Sequence, residues 1–250
     1  MRRPLITLLT DFGTVDGYVA EMKGVILAAV SEAQVIDVSH DLPSQDVEAG
    51  RLALARYWRR FPAGTIHVAV VDPGVGTDRA ALAVASDGRF LIGPDNGILS
   101  PALLFAGASA VALQVPANAA PTFHGRDVFA PAAARLAAGE PFESLGSAVD
   151  SPIVRRTPEP HRLSDGAIRG EVITIDRFGN AITNLLAVRG GTVDVAGRRL
   201  PIRRTYGDAA DGAPVAIAGS TGLIEIAVRN GSAAELLGLK RGVEVVHRRK

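Results

Sequence analysis

A chain of 250 residues, 47% hydrophobic and 21% charged, has the composition of a folded globular protein of one or two domains and excludes a fibre or a disordered segment. Lys and Arg number 27 against 26 Asp and Glu, and the resulting net charge of +1 makes no electrostatic case for nucleic acid or an anionic membrane. Cysteine is absent, which removes disulfides, thiolate metal sites and a cysteine nucleophile.

Met1-Arg2-Arg3 leads into a short apolar run that stops at Asp11 without a small-residue cleavage site, so no signal peptide is read. No apolar run reaches the ~18 residues of a membrane span, and a cytoplasmic protein is expected. The basic ending Lys240, Arg241, Arg248, Arg249, Lys250 reads as a solvated tail. Residues 5–10 predict a strand ending in Thr10-Asp11-Phe12-Gly13, after which Val19, Met22, Val25, Ile26, Ala29 and Val30 recur at helical spacing. Val35-Ile36-Asp37-Val38 is a second strand. Ser44 is placed to cap a helix whose first turn holds Asp46 and Glu48 and which runs through Leu52, Ala55, Tyr57 and Trp58 to Phe61-Pro62. Residues 65–71 are almost wholly apolar, as in a parallel strand covered on both faces. Residues 80–85 and 89–92 flank Asp87-Gly88, a hairpin turn. Residues 102–115 are apolar but broken by Gly107, Ser109 and Gln114. Residues 127–138 predict a helix ended by Gly139, with Pro131 tolerable only near its first turn.

Composition shifts near residue 150. Residues 151–165 carry Pro152, Pro158 and Pro160 with Arg155, Arg156 and Arg162 and few apolar side chains, the marks of a linker. Short strands follow at 170–176, 192–195, 200–203, 214–218, 223–228 and 243–247, with only a helical turn at 233–237. Such spacing favours a small β-barrel or sandwich. The expectation is an α/β fold: an α/β domain over 1–150, a linker over 151–166 and a β domain over 167–250.

Ligands of open α/β sheets bind beyond the carboxyl ends of the strands. Asp11, Asp72 and Asp95-Asn96-Gly97 fall there, although each has a plainer reading as a turn residue. In Asp72-Pro73-Gly74-Val75-Gly76-Thr77-Asp78-Arg79, two glycines allow a tight loop across which Asp72 and Arg79 can return to each other. The alternative is a surface ion pair of little consequence. In Phe123-His124-Gly125-Arg126-Asp127, a His before a glycine and a helix start can present its ring to a cleft, or be structural. His40, His67, His161 and His247 lack that setting. In Asp176-Arg177-Phe178-Gly179-Asn180, carboxylate and amide can hold hydroxyls while the ring offers a stacking face, unless this is an Asx turn. Gly74-Val75-Gly76 lacks the third glycine of a dinucleotide loop, and neither a Walker sequence nor a Gly-x-Ser-x-Gly elbow is present.

Taken together and in order, these stretches resemble one family, the S-adenosylmethionine hydroxide adenosyltransferases, relatives of the fluorinase and chlorinase. The resemblance is carried by Leu9-Thr10-Asp11-Phe12-Gly13 with Asp16, Asp46-Val47-Glu48 with Gly50, Asp72 to Gly76 with Arg79, Gly93-Pro94-Asp95-Asn96-Gly97, Phe123 to Asp127, Asp176 to Asn184, and Gly219-Ser220-Thr221-Gly222 with Arg229-Asn230. It implies a Rossmann-like N-terminal α/β domain, a C-terminal β-barrel, and a homotrimer with active sites where one subunit's N-domain meets the next subunit's C-domain. It implies hydrolysis of S-adenosyl-L-methionine to adenosine and L-methionine, with that molecule as substrate and neither cofactor nor metal. The family's catalytic triad falls on Asp72, Arg79 and His124. Its substrate contacts fall on Asp11, Phe12 and Asp16, and in the C-domain on Asp176, Phe178, Asn180, Ser220 and Asn230. The halogenase branch carries an aromatic residue at Asp72, tyrosine and serine at His124 and Gly125, and an inserted loop that this chain lacks. Gln45 departs from the fluorinase, which has an aromatic residue there.

The chemistry suits these residues. A sulfonium leaves as a neutral thioether and needs no general acid, so the protein must place a water in line behind ribose C5′ and help remove its proton. Either Asp72 or His124 could take that proton. Three other readings stand beside this one: a halogenase, a nucleoside-binding protein without chemistry, and a metal-dependent hydrolase with ligands among Asp11, His40, Asp72, Asp95 and His124.

Overall fold

The computed structural model describes residues 3–187 and 190–249; Met1 and Arg2 of the amino terminus and Lys250 of the basic ending lie outside the described residues, as do Val188 and Arg189. The chain divides into two compact units, Met1–Arg155 and Arg156–Lys250.

The first unit runs β1 (Leu5–Thr10), α1 (Tyr18–Ala29), β2 (Gln34–Ser39), α2 (Val47–Tyr57), β3 (Ile66–Val70), β4 (Ala81–Ser86), β5 (Arg89–Pro94), α3 (Ser100–Leu103), β6 (Ser109–Leu113), α4 (Ala130–Ala137) and β7 (Gly146–Ala148). The strands form one sheet in the order β2-β1-β3-β5-β4-β6-β7. β2, β1, β3 and β5 are mutually parallel, and the remaining neighbour pairings, β5–β4, β4–β6 and β6–β7, are antiparallel. Because successive strand side chains point to opposite faces, Val68 and Val70 of β3 join a core with Met22 and Ile26 of α1 and Leu136 of α4. Ala69 and Val71 join a second core with Leu54 and Trp58 on the other face. Met22, Ile26 and Leu54 are fully buried, worth ~1.5–3 kcal/mol each. The sheet is therefore a Rossmann-like layer covered on both faces.

Two local expectations need correction. α2 is capped by Asp46, not Ser44: Gln45 turns into the left-handed region, and the Asp46 carboxylate then accepts the amide of Ala49. The helix expected over 127–138 is two pieces, a π-helical turn at Gly125–Phe129 followed by α4, with Pro131 in the first turn of α4. Pro131 has no N–H to give the carbonyl four residues back, so the regular ladder cannot run through it and a wider turn takes its place. The Asp87-Gly88 hairpin turn is present, with φ 47° and 69°.

The second unit contains β8 (His161–Arg162), β9 (Ile168–Ile175), β10 (Ala181–Leu186), β11 (Thr192–Val195), β12 (Arg198–Arg203), β13 (Pro214–Ala218), β14 (Leu223–Val228), α5 (Ala233–Leu237) and β15 (Glu244–Arg248). The order β10-β14-β13-β12-β11-β15-β9 closes on itself through the β9–β10 pairing, a seven-stranded barrel with β8 added at β9. Val172, Leu185, Val193, Leu200, Ile224, Ile226 and Val245 fill it. β6 and β10 are strands the sequence pattern does not single out. Five of the six β10 residues are buried, so neither face reads as polar.

Candidate active site

Because β1, β3 and β5 are parallel neighbours, their carboxyl ends share one edge of the sheet. Asp11, Asp72 and Asp95 all follow those ends, but the structure uses them differently. Asp95 accepts the amide of Ile153. Asn96 beside it donates to the carbonyl of Val71 at 2.8 Å and accepts from the amide of Ile98. The Asp95-Asn96 motif thus braces the end of β3, immediately before Asp72.

Asp72 and Arg79 close the loop between β3 and β4. Arg79 Nε donates to Asp72 Oδ1 at 2.9 Å, and Arg79 Nη2 donates to Asp72 Oδ2. The pair is nearly out of solvent, with side-chain exposures of 5% for Asp72 and 9% for Arg79. This is the bidentate geometry that makes guanidinium–carboxylate pairs strong and directional. Gly76 makes the loop possible: φ is 77°, and a Cβ there would stand 2.4 Å from the carbonyl oxygen of Pro121. The loop thereby lies against the segment that delivers His124.

His124 precedes the π-helical turn and is 6% exposed. Its Nδ1 lies 2.9 Å from Arg79 Nη2. A guanidinium only donates, so Nδ1 accepts, and the neutral ring carries its proton on Nε2. Burial and the Arg79 charge push the His124 pKa below its ordinary value, against the opposing pull of Asp72 and Asp127, which keeps the ring neutral at physiological pH. Gly125 follows because the ring edges of Phe12 and Phe123 come within 3.1 Å of where a Cβ would sit.

Asp72 and His124 open on a cleft of about 440 Å³, also lined by Phe12, Tyr18, Val75 and Phe123, which is the size of a small-molecule site. Phe12, Tyr18 and Phe123 meet edge to face at centroid separations of 5.2 to 6.1 Å. Arg126 lies over Phe123 and donates to Glu21 and Asp127, closing one rim. Asp11 and Asp16 do not line this cleft; they occupy the loop that carries Phe12. Asp11 Oδ2 accepts the amide of Gln45 at 2.8 Å. Gln45 takes up φ 63° there, and its backbone anchors Asp11. Tyr18 and Val75 line the cleft without having been singled out. Tyr18 lies at the start of α1 and its aromatic character was the available signal, whereas Val75 gave none.

The second unit has its own cleft, of about 660 Å³, lined by Phe178, Asn180, Tyr206, Arg229, Asn230 and Ser232. Asp176 accepts the amides of Phe178 and Asn180 and the side-chain amide of Asn180, all at 2.9 to 3.0 Å. This Asx turn holds Phe178 out at 77% exposure. Ser220 lies in the turn before β14 and Asn230 beyond its other end, so Ser220 does not line this cleft. Tyr206 arrives from the β12–β13 connection, and no motif in the sequence linked it to Phe178.

Among the described residues, no three His, Cys, Asp or Glu side chains are grouped as metal ligands would be. The residues weighed as ligands have other partners: His40 holds Thr10 and Asp37, Asp72 holds Arg79, and Asp95 holds a backbone amide.

Residues 6–146 match the model of the SAM hydroxide adenosyltransferase N-terminal domain, and residues 170–246 match that of the C-terminal domain. The chain belongs to the SAM hydroxide adenosyltransferase family. It is 47% identical to an (R)-S-adenosyl-L-methionine hydrolase of Thermus thermophilus over 254 residues, covering 96% of this chain and 98% of that one. It is 33% identical to a fluorinase of Actinopolyspora mzabensis over 288 residues, covering 97% and 96%. An uncharacterized conserved protein of Thermotoga maritima has the same fold, with a TM-score of 0.89 at 32% identity over 98% of this chain and 100% of that one. In this member of the adenosyltransferase family, Asp72, Arg79 and His124 form one hydrogen-bonded cluster at the strand-end edge.

Proposed function

We propose that this protein hydrolyses S-adenosyl-L-methionine to adenosine and L-methionine by attack of water on ribose C5′. The observation that carries the reading is the buried Asp72–Arg79–His124 cluster facing a small-molecule cleft, in a chain 47% identical to an enzyme named for this hydrolysis. The relative's name specifies the R configuration, and we extend that preference to this chain.

Asp72 is the proton acceptor in this account. Arg79 takes one lone pair from each Asp72 oxygen, and a carboxylate has about four such sites, so Asp72 can still accept from a water. His124 cannot serve as the base through Nε2 in its neutral form, because that nitrogen already carries the proton; it donates a hydrogen bond and fixes the water's position. The water oxygen forms a bond to C5′ while the C5′–S bond breaks and its electron pair goes to sulfur, giving neutral methionine thioether. The water's proton passes to Asp72 and then to solvent. Because the proton leaves toward an anion as the sulfonium charge is lost, a water-poor setting favours the step. Arg79 holds Asp72 in place and balances its charge.

Asp11, Phe12 and Asp16 serve the nucleoside from the first unit. Phe178, Asn180 and Asn230 serve from the second, Phe178 by stacking, with Asp176 fixing the turn. The active protein is a cytoplasmic homotrimer in which the first unit of one subunit and the second unit of the next complete each site, and no cofactor takes part. The openness of the second-unit cleft and the exposure of Phe178 support a binding surface that needs a partner. Asp72 argues against the halogenase reading, since a carboxylate in a halide pocket repels the nucleophile.

Purified protein incubated with each sulfonium epimer, with a chelator, and with and without chloride, tests the proposal by chromatography. Equal amounts of adenosine and methionine from the R epimer, independent of halide and chelator, are expected. Intact substrate would leave a nucleoside-binding protein, and a halogenated nucleoside would leave a halogenase.

A further inference from the structure

Behind the Asp11-Phe12 loop lies a second hydrogen-bonded chain that the reaction does not use directly. His40 Nδ1 is 2.8 Å from Thr10 Oγ1, and His40 Nε2 is 3.0 Å from Asp37 Oδ1. The amide of Phe12 donates to Thr10 Oγ1 at 3.2 Å, and the amide of Gly13 donates to the carbonyl of His40 at 2.8 Å. At the outer end Lys23 Nζ donates to Asp37 Oδ2 at 2.6 Å.

Donor and acceptor chemistry gives this chain one direction. Partial burial pushes the Asp37 pKa up, but hydrogen bonds from Lys23 and His40 outweigh it and hold the group below its ordinary value, so Asp37 is a carboxylate that only accepts. His40 Nε2 therefore donates to Asp37, and in that neutral tautomer Nδ1 is the acceptor for the Thr10 hydroxyl. The Thr10 oxygen is then left as an acceptor for the amide of Phe12. Thr10 and His40 are 0% and 4% exposed and neither lines the cleft, so they do not touch substrate. A buried polar pair tolerates the loss of water only when every group is paired, and this one ends at the loop carrying Asp11 and Phe12.

We infer that Asp37, His40 and Thr10 form a positioning relay that fixes the Asp11-Phe12 loop and thereby sets substrate affinity. The relay rests on the hydrolase reading above for its effect on the reaction, but its effect on the loop does not. It tightens the ground-state complex without touching the water or Asp72, so it acts on KM and leaves kcat alone.

Thr10→Val and Thr10→Ser test it, with wild type in parallel. Thr10→Val removes the hydroxyl at nearly constant shape, and loss of one such hydrogen bond is expected to raise KM about tenfold with kcat within about twofold. Thr10→Ser keeps the hydroxyl and is expected to restore the wild-type KM, a rescue that a purely packing role for the threonine methyl would not give. Amide hydrogen exchange over residues 9–14 reads the loop without catalysis and is expected to be faster in Thr10→Val only. Should Thr10→Val fail to fold, Asp37→Ala replaces it, since that side chain is 43% exposed; about threefold in KM with faster exchange is expected. Wild-type KM and exchange in the folded variant would overturn the relay while leaving the hydrolase reading intact. Wild-type protein that releases no adenosine would sink the hydrolase reading, and the exchange of residues 9–14 would still decide the relay.

Discussion

Replacing Asp72 by Asn keeps the shape of the side chain and removes its charge. Asp72 gives both oxygens to Arg79, whereas Asn offers one acceptor and turns an N–H toward a guanidinium that can only donate. Loss of a positioned proton acceptor lowers turnover by ~10²–10⁴-fold. The substitution also leaves Arg79, 9% exposed, without its counter-charge. Breaking a buried pair costs ~3–5 kcal/mol. Arg79 keeps acceptors in the carbonyl of Ala80 at 3.2 Å and His124 Nδ1 at 2.9 Å, which places this case at the lower end. About 3 kcal/mol corresponds to a melting temperature roughly 6–12 °C lower in a chain of this size. Single-turnover adenosine release at 25 °C, corrected for the folded fraction, measures the first effect and calorimetric melting the second. Asp72→Asn that melts early yet keeps more than a tenth of the turnover would refute the reasoning, because Asp72 would then be a structural anion only.

The remaining predictions concern other groups. His124 must be neutral for its Nδ1 to accept from Arg79, and its pKa is held below the ordinary value; kcat should be flat from neutral pH upward and fall only below pH ~6.5, and an acid limb centred above pH 7 would contradict the assignment. Phe178→Ala should leave melting unchanged within about 0.5 kcal/mol, since the ring is 77% exposed, yet raise KM; an unchanged KM removes Phe178 from the site. His67, fully buried against Thr7, has its pKa lowered to about 4, chiefly by burial. Between that value and ~6.5 the unfolded chain takes a proton that the native state refuses. Stability from this residue is therefore whole above pH ~6.5 and declines by about 2 kcal/mol at pH 5. Urea denaturation at pH 7 and pH 5 should show the decline, and His67→Asn should shrink it by about that amount, leaving the smaller share of His124 and His247, which burial also holds below their ordinary values.

The sequence placed Asp11, Asp72 and Asp95 at strand ends because short apolar runs and turn residues are local signals. What a strand-end residue then does depends on partners far along the chain. Asp95 holds Ile153, 58 residues away, and Arg79 reaches His124 across 45. The return of Arg79 to Asp72 was legible because the six residues between them, two of them glycines, form one loop. The cap of α2 was misplaced because Ser44 and Asp46 are both good caps, and only the left-handed backbone of Gln45 decides between them. Strand β10 was hidden because burial on both faces erases alternation. Tyr206 and Phe178 line one cleft because β14 pairs with both β10 and β13 and so sets the loops that lead into those two strands side by side. The Thr10–His40–Asp37 chain was out of reach for a similar reason: His40 reads as an isolated histidine until the parallel register of β1 and β2 sets it beside Thr10.

The most direct test of the central claim is hydrolysis of S-adenosyl-L-methionine in water enriched in oxygen-18, with both products weighed by mass spectrometry. Attack of water on C5′ predicts one heavy oxygen in adenosine for every turnover and none in methionine. Unlabelled adenosine, or label appearing in the methionine fragment, would contradict it.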